Sequence, residues 1–526
     1  MKAGSCLNSS NTLIFGGIIL FLASCLLTDG PHLLLLTGAQ LIFVPMALQL
    51  VMALDKRKSL LIWFGLISVF LLHVITIHTG QMILAIIYLL FTLSVAFYGL
   101  CRFFKRGFVN WAEISIDIGM MYLFMGGIWF FIHINGLNTG FSHMLNWLTA
   151  IHFHYSAFLL PISIGLFGRI HQSKLYNKIV PVILAAPLLV AVGITFWPLL
   201  EFISVLFYIF GIYGLIYLAI KTKFPTLLQG MLIRISYSAL GITILFSLVY
   251  SVGIAFGMWY VTLDFMLVFH GLVNCLLIGL LGILGWAIDM PKSKQPVWNF
   301  PVSRIRGKLT AENTYMSGLV DDLSEFVDIK GIHPMIVDFY EHTDKYRLFA
   351  AVHWAGWFKP VLIIYKPISR LIQQLNLPTS KKIVEMEGTI VSVNESLDGR
   401  KRPRAWVRRV NGNTVFTAIY SSHETKSRTY MNIALPLPFS TMIGIIKLDN
   451  RNDTLVLSST GEGDQGIYLA IGTLLFRLPL SENFIIEEAS TGELTAIHKM
   501  KLCRMPFLRI DYSIMAKDIT KREYSS

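Results

Sequence analysis

The sequence predicts a bundle of about ten membrane-spanning helices followed by a soluble α+β domain dominated by an antiparallel sheet, curved or closed like a barrel. Three observations predict it. Of 526 residues, 54% are apolar and only 14% are charged, whereas soluble domains carry about 25% charged residues. The charge is divided unevenly: residues 1–290 hold 13 Lys/Arg and 7 Asp/Glu, and residues 291–526 hold 31 and 24. Beyond residue 290, long apolar runs give way to short β-branched and aromatic segments punctuated by turn residues. A wholly aqueous enzyme is excluded, and the division is set at 1–290 and 291–526.

Runs able to cross ~30 Å of hydrocarbon lie at about 12–28, 33–54, 60–78, 82–100, 112–133, 145–168, 179–197, 200–220, 231–257 and 263–288. Turn-like breaks such as Asn135-Gly136 and Trp197-Pro198 separate them. Lys56, Arg57 and Lys58 follow the second run; Arg102, Lys105 and Arg106 follow the fourth. Arg169, Lys174 and Lys178 follow the sixth, and Lys221, Lys223 and Arg234 flank the eighth and ninth. The intervening loops contain no Lys or Arg. This alternation is the positive-inside pattern and predicts both termini in the cytoplasm. Leu22-Ala23-Ser24-Cys25 matches a lipoprotein cleavage box, but Leu26 and Leu27 continue the apolar run and favour an ordinary helix. The five cysteines are widely spaced and give neither a disulfide framework nor a thiolate zinc site.

Ionisable groups within spans are costly and single out candidate sites. The sixth span carries His152 and His154, with Pro161 beyond them; Thr149, His152, Ser156 and Ser163 share one helical face. His154 points about 200° away from His152 around the helix. The tenth span carries His270 and Asn274 at i, i+4, and the third carries His73. At 1.5 Å per residue the three helices bring histidines to one layer roughly 10 Å below the outer face. Glu113 and Asp117 lie near the opposite end of the fifth span, with Glu113 able to snorkel to the interface. These groups fit a proton relay, a polar substrate site, or ligation of haem or a transition metal through His152, His154 and His270. Hydrogen bonding between helices would also account for them, above all for His73 and Asn274. No HExxH or di-iron histidine box is present.

In the C-terminal part, helical patterns cover Asn313–Val327, with Thr310 ahead as a cap, and His333–His342. Eight to ten strands follow from about Lys382 to Lys517, enough to enclose a lipid-sized cavity or a filled core. Arg400, Lys401, Arg402, Arg404, Arg408 and Arg409 form a basic cluster suited to an anionic leaflet, though a solvated surface is the commoner origin of such a run. Ser458–Gly466 is Gly-rich but lacks the Gly-Lys-Ser/Thr of a phosphate loop and reads as a hairpin loop. No hydrolase, kinase, dinucleotide or nucleic-acid motif occurs.

The segment Leu148-Thr149-Ala150-Ile151-His152-Phe153-His154-Tyr155-Ser156-Ala157-Phe158-Leu159-Leu160-Pro161 resembles the signature of the YndJ-like bacterial membrane proteins. Glu113 and Asp117 before it, His270-Gly271, Asn274, Gly282 and Gly285-Trp286 after it, and Thr429–Pro438 in the C-terminal part add to the resemblance. It implies a multi-pass plasma-membrane protein of Bacillus-type bacteria, sometimes labelled a transporter, and supplies no catalytic residues. The leading expectation is a transporter-like, non-enzymatic protein in the lipid bilayer, acting on a lipid or amphiphile. A membrane-embedded metal or haem redox enzyme, and a sensor or assembly factor, are the alternatives.

Overall fold

The computed structural model describes residues 3–517 except 29, 31, 108–109, 259–260, 294–297, 299, 308–313, 452, 473 and 491. The chain divides into two compact units, Met1–Phe103 with Asn110–Gln295, and Phe104–Val109 with Pro296–Ser526.

The first unit is a helical bundle: α1 (Ala3–Leu27), α2 (Leu34–Val51), α3 (Lys56–Leu71), α4 (His78–Arg106), α5 (Trp111–Ile134), α6 (His143–Ile170), α7 (Lys174–Phe196), α8 (Pro198–Lys221), α9 (Leu227–Phe256) and α10 (Leu263–Ile288). Eight of these, α2 and α4 to α10, are long and apolar enough to cross a membrane. In α1 the apolar stretch is the shorter Thr12–Leu27, and α3 is a 16-residue helix that begins with three cations. Ten helical rods therefore stand where ten runs are expected, eight of them of full spanning length. Short polar side chains start several of them: Asp55 caps α3, Asn110 caps α5, Ser142 caps α6, Ser173 caps α7 and Thr226 caps α9, each accepting from an otherwise orphaned backbone N–H.

Three helices widen into π-helical turns: Ala39–Phe43 in α2, Tyr155–Leu159 in α6, and Met266–Gly271 with Asn274–Leu280 in α10. In α2 and α6 the wide turn ends two residues before a proline, Pro45 and Pro161. The proline ring crowds the carbonyl one turn back and offers no N–H to it, so the helix expands there instead of breaking. In α10 the widened turns contain glycines set against neighbouring helices, Gly271 under Leu35 and Gly279 under the Phe43 ring.

The second unit is a barrel. It begins with α11 (Pro334–Glu341), β1 (Tyr346–Trp354) and α12 (Lys359–Ile372), then β2 (Val384–Glu385) and β3 (Glu387–Ser392). The rest is strand: β4 (Arg404–Val410), β5 (Asn413–Thr425), β6 (Arg428–Leu437), β7 (Ser440–Arg451), β8 (Thr454–Ser458), β9 (Gly466–Ile471), β10 (Leu474–Arg477), β11 (Leu480–Ser490), β12 (Glu493–Leu502) and β13 (Met505–Ala516). All strand pairs are antiparallel, in the order β2-β1-β13-β12-β11-β8-β7-β6-β5-β4-β3. The ends of that path, β2 and β3, are separated in the chain by Met386 alone, so the sheet returns on itself and leaves no open edge between them. The hairpin β9–β10 adds to the first half of β7, beside the half that pairs with β8. Residues at every second position, such as Leu348, Trp406, Met431, Ile446 and Ile510, fill the interior.

Two expectations for this unit change. Residues 314–327 are not helical: they run extended, bridge Tyr315 to Val391, and make only a short turn at Leu323–Glu325. Gly318 packs so closely on the Glu341 carbonyl that a Cβ there would lie 2.1 Å from it, and Leu319 donates to Tyr340, so backbone contact with α11 replaces helical bonding. Thr310 and Asn313 lie outside the described residues. Helix α11 starts at Pro334 with His333 as its cap, within the expected range. Ser458–Gly466 is a loop but not that of a hairpin: it joins β8 to β9, which pair not with each other but with successive halves of β7, and the Gln465 amide ties it to the carbonyls of Ser458 and Thr460.

Candidate functional site

Two acids of the bundle, Glu113 and Asp117, are paired with arginines. Glu113 is almost wholly buried at the start of α5. Its Oε1 accepts from Arg169 Nε at 2.8 Å, and its Oε2 from Arg169 Nη2 at 3.0 Å and Arg102 Nη2 at 2.9 Å. Arg102 Nε also reaches Asp117 Oδ1 at 2.9 Å. Two guanidiniums and two carboxylates thus neutralise one another inside the helix ends of α4, α5 and α6. The remaining arms of the arginines donate to the carbonyls of Val51 and Pro291. Glu113 does not snorkel outward; it is held by the fork geometry of Arg169. Within this quartet every charge is opposed by another.

The histidines do not converge on one point. His73 is bracketed by the hydroxyls of Thr28, at 3.0 Å, and Thr37, at 3.3 Å. His154 is completely buried: Nδ1 lies 2.8 Å from the Ala150 carbonyl and Nε2 lies 2.7 Å from the Tyr88 hydroxyl, with the two rings stacked. Gly126 makes room for it, because a Cβ there would come within 2.8 Å of the imidazole. With both ring nitrogens engaged, His154 is a packing element. Asn274 accepts from the buried Thr243 hydroxyl at 2.8 Å.

His152 and His270 remain as a pair. His270 Nδ1 lies 3.2 Å from the Thr243 carbonyl, and His152 Nδ1 lies 2.7 Å from the Leu148 carbonyl, so one nitrogen of each ring is occupied. The two imidazoles are near enough to interact electrostatically. His152 is exposed and His270 is half-buried. One turn further along α6, Tyr155 donates to the Leu35 carbonyl of α2 at 2.8 Å and meets Cys275 Sγ at 3.1 Å. The π-helical regions of α6 and α10 therefore supply Tyr155, His270 and Cys275 to the surroundings of the histidine pair. Among the described residues no three His, Cys, Asp or Glu side chains are grouped as metal ligands would be. The expected ligand set of His152, His154 and His270 is not assembled, because His154 turns to Tyr88.

The arginine cluster of the barrel is also dispersed. Arg400 is fully buried against Asp398, at 2.6 Å, and donates to Asn432. Arg402 bridges Asp321 and Glu325, and Arg404 pairs with Asp321 and donates to the Gly318 carbonyl. Arg408 points inward. Lys401, Arg402 and, in part, Arg409 face outward. A single membrane-facing patch does not form, because alternate residues of β4 lie on opposite faces of the sheet.

Sequence reasoning missed α12. Its inner side is anchored by Leu362, by Tyr365 donating to the Leu375 carbonyl, and by Lys366 donating to Asn376 and Leu377. Its outer side presents Val361, Ile363, Ile364, Ile368 and Leu371, the last 81% exposed. The signal was present as apolar residues at i, i+3, i+7 and i+10.

Comparison with known proteins places this architecture. The profile of the family described as YndJ-like protein matches residues 34–278. The chain is 40% identical over 455 residues, 82% of its own length and 83% of the relative's, to the "Uncharacterized membrane protein YndJ" of Bacillus subtilis (strain 168). This chain belongs to the YndJ-like family. The match to the YndJ-like profile covers α2 to most of α10, including the ion quartet, His152, His270 and Tyr155. No solved structure matches it.

Proposed function

We propose that this YndJ-like protein is a transporter-like membrane protein for an amphiphile, with the His152–His270 pair receiving the polar head. One observation carries the reading: an exposed imidazole stands beside a second imidazole on an apolar bundle, where two helices are widened. Such widened turns are rare and are frequent at functional sites, and a polar group left accessible in a span is costly unless used. The positive-inside distribution supports a plasma-membrane orientation with both termini and the barrel in the cytoplasm. In that orientation the bilayer is also the partner of the apolar side of α12, where Lys359, Arg370, Lys381 and Lys382 supply exposed cations for an anionic leaflet.

The test is translocation in proteoliposomes. Fluorescently tagged phosphatidylglycerol is placed in both leaflets, and the rate at which a membrane-impermeant reductant bleaches the inner pool is measured. Wild-type protein is expected to accelerate it, and His152→Gln or His270→Gln to remove the acceleration at unchanged thermal midpoint. Wild-type liposomes no faster than protein-free ones, or variants as fast as wild type, would defeat the reading.

A further inference from the structure

The interior of the barrel holds an arginine that no carboxylate answers. Arg408, in the middle of β4, is 8% exposed. Its guanidinium is sandwiched between two aromatic faces, 4.4 Å from the Trp406 ring centre and 4.1 Å from that of Phe416. Its Nε has no hydrogen-bond partner among the described residues. Every other buried arginine discussed above faces an acid; Arg408 makes no salt bridge to any described Asp or Glu. Burying a cation without an anionic partner is costly, and flanking aromatic rings offset only part of that cost. The arrangement is therefore incomplete as it stands.

Arg408 opens into a cavity of about 120 Å³ whose walls include Met386, Met431, Met442, Leu457, Phe484 and Ile510. Among the other polar groups of that lining, the Tyr512 hydroxyl accepts a hydrogen bond from the guanidinium, and no described carboxylate pairs with it. Glu482 is turned to His498, with Oε2 at 3.2 Å from Nε2, while its Oε1 rests against Gly444. The hydroxyls of Tyr420 and Tyr512 lie close to Arg408; burial pushes Tyr420 up to about 12 and Tyr512 upward, so both carry their protons at neutral pH. Protonated hydroxyls are donors, and with the guanidinium they form a set that suits a negative charge.

We propose that the barrel is a binding site for a small organic acid, its carboxylate on Arg408 and its apolar body in the methionine-lined cavity. Size limits the body: a cavity of roughly 150 Å³ holds benzene, so one of about 120 Å³ takes a single ring or a short chain, and the methionines can yield a little further. This site rests on the barrel alone and stands whether or not the bundle transports an amphiphile.

The experiment is calorimetric titration of the full chain in nanodiscs, with empty nanodiscs as the partition control. The probes are benzoate and hexanoate, with benzyl alcohol and hexanol as their uncharged counterparts. Each acid is expected to bind at one saturable site and to outbind its alcohol by roughly 30-fold or more, the factor for losing a buried charge pair. Arg408→Met is expected to remove acid binding and raise the thermal midpoint. Arg408→Lys keeps the charge but loses the planar fork, and is expected to bind both acids more weakly than wild type. Alcohols that match the acids, Arg408→Met binding benzoate as wild type does, or no saturable binding of either acid would each overturn the assignment. A folded Arg408→Lys protein with wild-type affinity would overturn the role of the fork.

Discussion

Removing Glu113 tests whether the ion quartet holds the bundle together. The carboxylate takes three charge-assisted hydrogen bonds, at 2.8, 2.9 and 3.0 Å, from two arginines that are themselves more than nine-tenths buried. Glu113→Ala leaves two guanidiniums facing the single carboxylate of Asp117 and adds a cavity. An uncompensated buried charge costs about 3–5 kcal/mol. At about 2–4 °C per kcal/mol for a large unit, the midpoint of the bundle is expected to fall by about 6–20 °C. The measurement is thermal denaturation of the detergent-solubilised full chain, followed by size-exclusion chromatography of what stays monodisperse. Combining Glu113→Gln with Arg169→Met restores neutrality, so the double variant is expected to lose clearly less than the two single losses added together. A midpoint for Glu113→Ala within about 2 °C of wild type, or strict additivity in the double variant, would refute the reasoning.

Other expectations follow from the same kind of contact. Gly165→Ala places a Cβ 2.5 Å from the Ala112 carbonyl and 2.4 Å from Ile116; overpacking of α6 on α5 is expected to cost about 1–3 kcal/mol, read as a lower midpoint in the same assay. Arg400→Met strands the buried Asp398 and is expected to cost about 3–5 kcal/mol, measured as faster amide exchange across β5 and β6; restoring neutrality with Asp398→Asn recovers part of it. Burial lowers the pKa of His423 from its ordinary 6.5, against the raising effect of Asp464. The unfolded chain then binds this proton first, so barrel stability is lost as pH falls below 6.5 and levels off once the folded His423 is protonated. His423→Gln is expected to flatten that part of the stability–pH curve. Ile364→Asp with Leu371→Asp is expected to speed amide exchange in α12 in phosphatidylglycerol nanodiscs and not in detergent; equal exchange with wild type in both would remove the bilayer as its partner.

The positions of the helices were legible because each must present a nearly continuous apolar run to hydrocarbon, and because cations resist translocation. Strands were legible where β-branched and aromatic residues lie between turn cues, as at Thr441–Leu448 and Phe507–Ile514. The site was less so. Arg102, Glu113 and Arg169 are 11 and 56 residues apart, and no local pattern says that a helix-end carboxylate will meet two cations. His152 and His154 differ by two positions, and helical geometry alone indicates that they face different neighbours; that His154 would find Tyr88 was not written locally. In β4 the period of two already separated Arg404 and Arg408 from Arg409, and reading the run of basic residues by charge instead of by strand phase made it look like one patch.

What composition, run length and the placement of Lys and Arg determined is the division of labour along the chain: apolar rods first, then a sheet built from alternating residues. Those are one-dimensional properties, set by the solvent each segment must meet. Tertiary structure decided the rest: the return of β3 to β2 through Met386, the neutral quartet, the pairing of His152 with His270, and the unanswered Arg408. Each depends on side chains brought together from distant parts of the chain, where the cost of a buried charge or an open imidazole is fixed by neighbours that no local window contains.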